Sequence, residues 1–219
     1  MNDILTPGKA VDTPEGVVVY TTRPPVDNLS NEVFVAWKDK RGRTHEQNRK
    51  AWALMSEIAD FQGQSKEATY AEQKTAFTLQ HLEMLQGELF HLSSATVTSA
   101  RAFISMLIEI IIEYGIPTKE PLYNLCDDIN RYVYACLMNK KCAVCGGRAE
   151  LHHYDHVGTG RNRNEINHIG MRCYPLCRVH HDEIHRIGEK AFDTRYHLIP
   201  IAIDEQIAKK YKLRTEEKT

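Results

Sequence analysis

An α+β architecture, helical at the front and compact at the end, follows from three features of the 219 residues. Short β-branched and aromatic runs stand near the start, several stretches with helical spacing of apolar residues follow, and cysteine and histidine pairs crowd together after Cys142.

The chain is long enough for one large or two small domains, and 42 % hydrophobic residues is ordinary for a globular protein. Lys and Arg number 28 against 29 Asp and Glu, so composition carries no global signature for nucleic acid and any polyanion site must be local. The opening "MNDILTPGKAVDTPEG" has no basic stretch followed by an apolar run, and the most apolar segment, "FISMLIEIIIEYGI", is interrupted by two glutamates. The expectation is a soluble cytoplasmic protein with no membrane partner. In a reducing compartment the six cysteines are then read as free thiols or metal ligands rather than disulfides.

"VVVYTT" and "EVFVAW" read as strands, the second followed by the polar "KDKRGR". Thr44 and Gln47 form a capping-box pattern, with Trp52, Met55 and Ala59 at helical spacing, so a helix starts just after Thr44 and places Trp52 in the core. A second helix is expected near "YAEQKTAFTLQHLEML". A hydroxyl-rich strand or loop then leads into a third from about Ser99 to Tyr114, stopped by Pro117. Phe103, Ile104, Leu107, Ile108, Ile111 and Ile112 cover most faces of that third helix, which implies deep burial or a subunit interface. Thr118 can cap a further helix, with Pro121 in its first turn, continuing through "LYNLCDDINRYVYACLMNK". The expected organisation is a domain over 1–117, a connecting helix over 118–141, a second domain over 142–200 and a tail over 201–219. The boundary rests on the change of composition near Cys142.

"CAVCGG" sets Cys142 and Cys145 at knuckle spacing, and "CRVH" sets Cys177 and His180 at the same spacing. A structural Zn2+ needs four N or S ligands in a closed tetrahedral shell, and these two pairs supply it. Cys126 and Cys136 fit free core thiols. Cys173, in "CYPLC", is taken as a non-ligand, although it could exchange with Cys177 or His180.

On a helix, neighbours point about 100° apart whereas residues four apart share a face. His180 and His181 therefore serve different ions, and His181 with His185 can hold a second one. "ELHHYDHVG" adds His152 and His153 on what reads as a strand, where neighbours face opposite sides. One of them can bind that ion while the other faces a substrate water.

The order His-His, loop, His-x-x-x-His after a cysteine knuckle resembles the HNH (ββα-metal) endonucleases over roughly Cys142 to Tyr196. "HHYDHVGTGRNR" and "PLCRVHHDEIH" look most like the RecA-dependent phage nuclease subgroup. The resemblance implies a zinc-stabilised ββα-metal domain that cleaves phosphodiester bonds. It makes His153 the general base, and His152, His181 and His185 ligands of a catalytic divalent ion, Mg2+ or another such cation, Zn2+ included. The asparagine that the family carries ahead of the second knuckle pair is missing, with Asn167 and His168 as the nearest candidates for its place. Arg161 and Arg163, in the glycine-containing "HVGTGRNRN", suit phosphate contacts.

"RGRTHEQNRKAWALMSEIAD" and "LSSATVTSARAFISMLIEIIIEYGI" resemble the phage Orf (NinB) recombination mediators over roughly residues 15–117. That resemblance implies an N-terminal Orf-like α+β domain, a homodimer, and binding to single-stranded DNA and the single-strand-binding protein. Arg43, Arg49 and Lys50 form a local basic cluster suited to DNA, although a capped helix with a solvated polar face accounts for much of the same pattern. The leading expectation is a phage-type recombination endonuclease acting on single-stranded or branched DNA in a bacterial host, with a RecA-type recombinase as a further partner. The rival is a non-catalytic, zinc-containing DNA-binding mediator that loads recombinase through the single-strand-binding protein.

Overall fold

A computed structural model describes residues 6, 8–14, 16–23, 39–155 and 166–215 of the chain. It divides into two compact units, Met1–Lys38 and Asp39–Thr219. In the first, β1 (Gly8–Thr13) and β2 (Gly16–Thr21) form an antiparallel hairpin closed where Thr13 pairs with Gly16. The strand expected at "VVVYTT" is therefore present, while "EVFVAW" lies outside the described residues.

The second unit begins with α1 (His45–Gln62). Its first turn is held by the expected capping box: the Thr44 side chain accepts from the Gln47 amide, and the Gln47 side chain accepts from the Thr44 amide. Gly63 ends it at φ 68°, where a side chain would be strained. Ala51, Leu54, Met55 and Ile58 face the core, whereas Trp52 is 36 % exposed and leans on Tyr70, contrary to the burial expected for it. The next helix, α2 (Lys66–Gln80), starts four residues before Tyr70 because Ser65 caps it through the Ala68 amide.

The hydroxyl-rich segment is a short 3₁₀ turn over Leu92–Ser94 and a bridge from Gly42 to Thr96, rather than a strand. Thr96 then caps α3 (Val97–Tyr114) in a second capping box with Ser99, and the helix ends at Gly115, φ 64°, two residues before Pro117. Phe103, Ile104, Leu107, Ile108 and Ile111 are all at most 2 % exposed, so burial within the chain accounts for the apolar helix. Phe103 meets Phe77 and Phe90 with ring centroids 5.3 and 4.7 Å apart.

The single helix expected after Thr118 is two. A four-residue turn, α4 (Leu122–Leu125), is followed by α5 (Ile129–Asn139), because Asp128 caps α5 through the Arg131 amide. Thr118 instead donates to its neighbour, the Glu120 carbonyl. Local capping by aspartate outcompeted the continuous apolar pattern.

One buried cluster runs from Ala51 in α1 through Ile116 and Tyr132 to Cys142, Tyr174 and Ala208. It passes without interruption through the positions where composition changes. At the end of the chain β3 (Glu150–His153), β4 (Arg172–Leu176) and β5 (Ile201–Ala202) form an antiparallel sheet in that order. Around it lie α6 (Arg178–Ile187), α7 (Glu189–Tyr196) and α8 (Glu205–Tyr211). The Tyr132 hydroxyl of α5 donates to the Ala143 carbonyl at 2.7 Å, and the Ala143 amide donates to Pro175 of β4 at 3.0 Å. The knuckle is thus tied to helix on one side and sheet on the other.

Candidate metal centre

Cys142 and Cys145 sit on a tight turn in which the Gly146 amide donates to the Cys142 carbonyl, with Gly146 at φ 69°. Cys177 occupies the N-cap of α6, and His180 stands one turn inside it. The four ligand atoms lie within 4.8 Å of one another. Cys177 Sγ approaches His180 Nδ1 to 3.1 Å, Cys142 Sγ approaches the same nitrogen to 3.4 Å, and the Cys145 and Cys177 sulfurs are 3.7 Å apart. With Zn–S bonds of about 2.3 Å, the edge of a tetrahedral shell is about 3.8 Å between sulfurs. These spacings suit four ligands of one ion.

Position rather than pKa separates the thiols of this chain. Burial would raise Cys177, but hydrogen bonds from the His180 backbone, from the Cys145 and Cys142 side chains and from the Val179 backbone outweigh it, and its pKa is lowered. Burial pushes Cys126 up to about 11 and Cys136 and Cys173 up to about 12, and it pushes Cys142, inside the cluster, up to about 12 as well. Cys126, Cys136 and Cys173 lie outside the cluster.

A second cluster brings together His152, His181 and His185. Their rings form a nearly even triangle, with centroids 4.8, 5.1 and 4.9 Å apart. Strand alternation places His152 on the inner face of β3, opposite Tyr174, and helical periodicity stacks His181 over His185 on α6. His152 is 3 % exposed, and its Nε2 is the one buried side-chain nitrogen or oxygen among the described residues without a hydrogen-bond partner. An unsatisfied buried group of this kind costs about 1–3 kcal/mol, and a cation at the centre of the triangle would remove that penalty. Burial, followed by the neighbouring His181 and His185, pushes the His152 pKa down to about 4; burial, followed by His185, lowers that of His181. Imidazoles held neutral in this way keep the lone pairs that a divalent ion needs.

His153 faces the other way from His152. Its Nε2 lies 2.9 Å from Nδ1 of His168, which is 5 % exposed and follows the Asn167 that was its competitor. The Asn167 side chain turns back on its own loop, accepting from the Ile169 amide. Of the two, His168 is the one in contact with His153.

The strand carrying the histidine pair is anchored by a network that the sequence did not announce. Tyr154 and Tyr174 both donate to the Asp193 carboxylate of α7, at 2.8 and 2.7 Å, and Arg172 pairs with Asp155 while lying over the Tyr154 ring. The partners are far apart in the chain, and no local pattern joins them. Of the basic residues singled out for DNA, Arg161 and Arg163 lie outside the described residues. Lys50 bonds Asp127 at 2.7 Å, with both side chains under 15 % exposed, and Arg43 donates to the Leu92 carbonyl. Arg49 pairs with Glu46 and is half exposed. Gln47 is buried, its side-chain amide donating to the Val97 carbonyl.

Comparison with curated proteins and with solved structures returned no match. Comparison with protein families returned one whose extent takes in the helical half as well as the cysteine- and histidine-rich end. By its match over residues 23–214, the chain belongs to the family described as "Putative HNHc nuclease".

Proposed function

We propose that this protein is a metal-dependent DNA endonuclease of phage-type recombination, cutting single-stranded or branched DNA. The observation that carries the chemistry is the closed triangle of His152, His181 and His185, with a buried, unpartnered nitrogen on one corner. Cys142, Cys145, Cys177 and His180 hold a structural Zn2+ that fixes the start of α6, and hence the two α6 histidines. His152, His181 and His185 hold a divalent ion, which when bound supplies Lewis-acid stabilisation of charge on the scissile phosphate. His153 takes the proton from the attacking water, and the opposite orientation of neighbours on β3 keeps it off the metal side. Arg161 and Arg163 position the DNA backbone; of Arg43, Arg49 and Lys50, Arg49 is the one whose head group is half exposed, paired at the surface with Glu46, whereas Arg43 and Lys50 are engaged internally.

The recombination setting, a homodimer, and partnership with the single-strand-binding protein and a RecA-type recombinase are supported by the resemblance of the α1 and α3 segments to Orf mediators. Supercoiled, single-stranded and branched DNA incubated with the zinc-loaded protein and Mg2+ or Mn2+ tests the proposal. His153→Ala is expected to cut about 10²- to 10⁴-fold more slowly with both ions still bound. If the wild type cuts none of these substrates under any divalent metal, the non-catalytic mediator replaces the nuclease.

A further inference from the structure

The approach of His168 to His153 at 2.9 Å has no role in the ligand clusters. His168 is buried, and its backbone is pinned from two directions: its amide donates to the Arg214 carbonyl at 3.0 Å and its carbonyl accepts from the Met171 amide at 3.2 Å. The Gly170 amide beside it donates to Ile203. The ring therefore projects from a loop held to β5 and to the segment after α8, a rigid platform rather than a surface side chain. Nδ1, the ring nitrogen nearer its own backbone, is the atom presented to His153 Nε2.

Two ring nitrogens at 2.9 Å must divide the roles of donor and acceptor, so each histidine constrains the tautomer of the other. We propose that His168 is the positioning residue of the base: by accepting from Nε2–H of His153 it selects the tautomer whose lone pair is on Nδ1 and fixes the plane of the ring. The inference rests on the nuclease reading for its consequence, though not for the contact itself. In the reaction the water O–H bond breaks as its proton bonds to His153 Nδ1, the hydroxide oxygen forms a bond to phosphorus, the P–O bond to the 3′ oxygen breaks, and the departing 3′ oxygen takes a proton from bulk water. The imidazolium so formed keeps donating to His168. An orienting partner of this sort acts through the base and touches neither water nor phosphate.

Asparagine and glutamine distinguish this geometry from mere bulk. The asparagine amide falls near the position of histidine Nδ1, while the glutamine amide reaches toward that of Nε2, on the far side of the ring. His168→Asn is expected to keep cleavage within about threefold of wild type, and His168→Gln and His168→Leu to lower kcat about 10- to 100-fold with KM for DNA and metal content unchanged. Asn167→Ala serves as the control and keeps full activity. ¹⁵N resonances of histidine-labelled, zinc-loaded protein give a readout independent of turnover: His153 should show one tautomer in the wild type and in His168→Asn, and an averaged pattern in His168→Gln. Should His168→Leu fail to fold, the asparagine and glutamine variants still decide.

Equal kcat in the asparagine and glutamine variants, a loss that falls on KM or metal content, or an unchanged His153 tautomer in His168→Gln would overturn the proposal. If the wild type never cleaves DNA, the nuclease reading fails on its own, and the resonances alone decide whether His168 sets the tautomer of His153.

Discussion

At the scale of single residues, His152 is the side chain whose burial and hydrogen bonding are out of balance. Its Nε2 is buried and unpartnered, and its pKa is held near 4 by burial and by two neighbouring imidazoles. In protein stripped of the ion at this triangle, the folded state binds fewer protons here than the unfolded chain between about pH 6.5 and pH 4. Stability contributed by the neutral ring is thus present above pH 6.5 and lost as the pH falls to about 4. His152→Leu should flatten that part of the pH–stability profile in thermal melts of the stripped protein, and lower the metal content from two ions per chain to one. An unchanged profile would show that another group titrates there. The leucine variant is expected to be no less stable than the stripped wild type, because an apolar side chain leaves no buried nitrogen unsatisfied. These residue identities were legible in the sequence because metal-ligand spacing is local: Cys-x-x-Cys, Cys-x-x-His and His-x-x-x-His are each written within one turn. The pairing of His153 with His168 was not, since the two stand fifteen positions apart and no local spacing rule joins them.

At the scale of elements, two periodicities divide the work. The strand period of two splits His152 from His153, and the helix period of 3.6 joins His181 to His185 while turning His180 toward the thiols. What ties β4 and the residue after β3 to α7 is the Asp193 carboxylate, the acceptor of the Tyr154 and Tyr174 hydroxyls, the latter on a fully buried side chain. Asp193→Ala leaves both hydroxyls to find new partners and should cost about 1–3 kcal/mol, read as a fall in urea midpoint with unchanged slope. The exposed Thr194→Ala beside it should change little. Capping was readable at α1, where Thr44 and Gln47 stand in the expected relation, and Thr44→Ala should cost about 0.5–2 kcal/mol. It was misread after Pro117, because Gly115 and Asp128 each act over three or four residues and override the longer apolar pattern between them. Trp52 makes the same point from the other side: it stands in a periodic segment, but at the edge of the buried stripe.

At the scale of the whole molecule, the change of composition near Cys142 marks where ligands begin rather than where packing ends. The buried cluster continues from α3 through α5 into β4 and α8, and hydroxyl bonds cross it from Tyr132 to Ala143 and from Tyr211 to Leu137. Among the described residues no helix is long and apolar enough to cross a membrane, so the apolar α3 finds its burial inside this core. A fragment of residues 142–215 would lose the α5 surface that packs against β4, together with the donor that holds the knuckle turn from behind. Zinc alone would have to order a domain of fewer than 80 residues, a size at which one core seldom suffices. The fragment is therefore expected to melt without a cooperative transition even in excess Zn2+, while 39–215 melts as one unit whose midpoint falls on chelation. Calorimetry of both fragments checks this. A sharp, zinc-dependent transition in the shorter one would mean that the nuclease end folds by itself, and that the helical half is an attachment to it rather than part of its core.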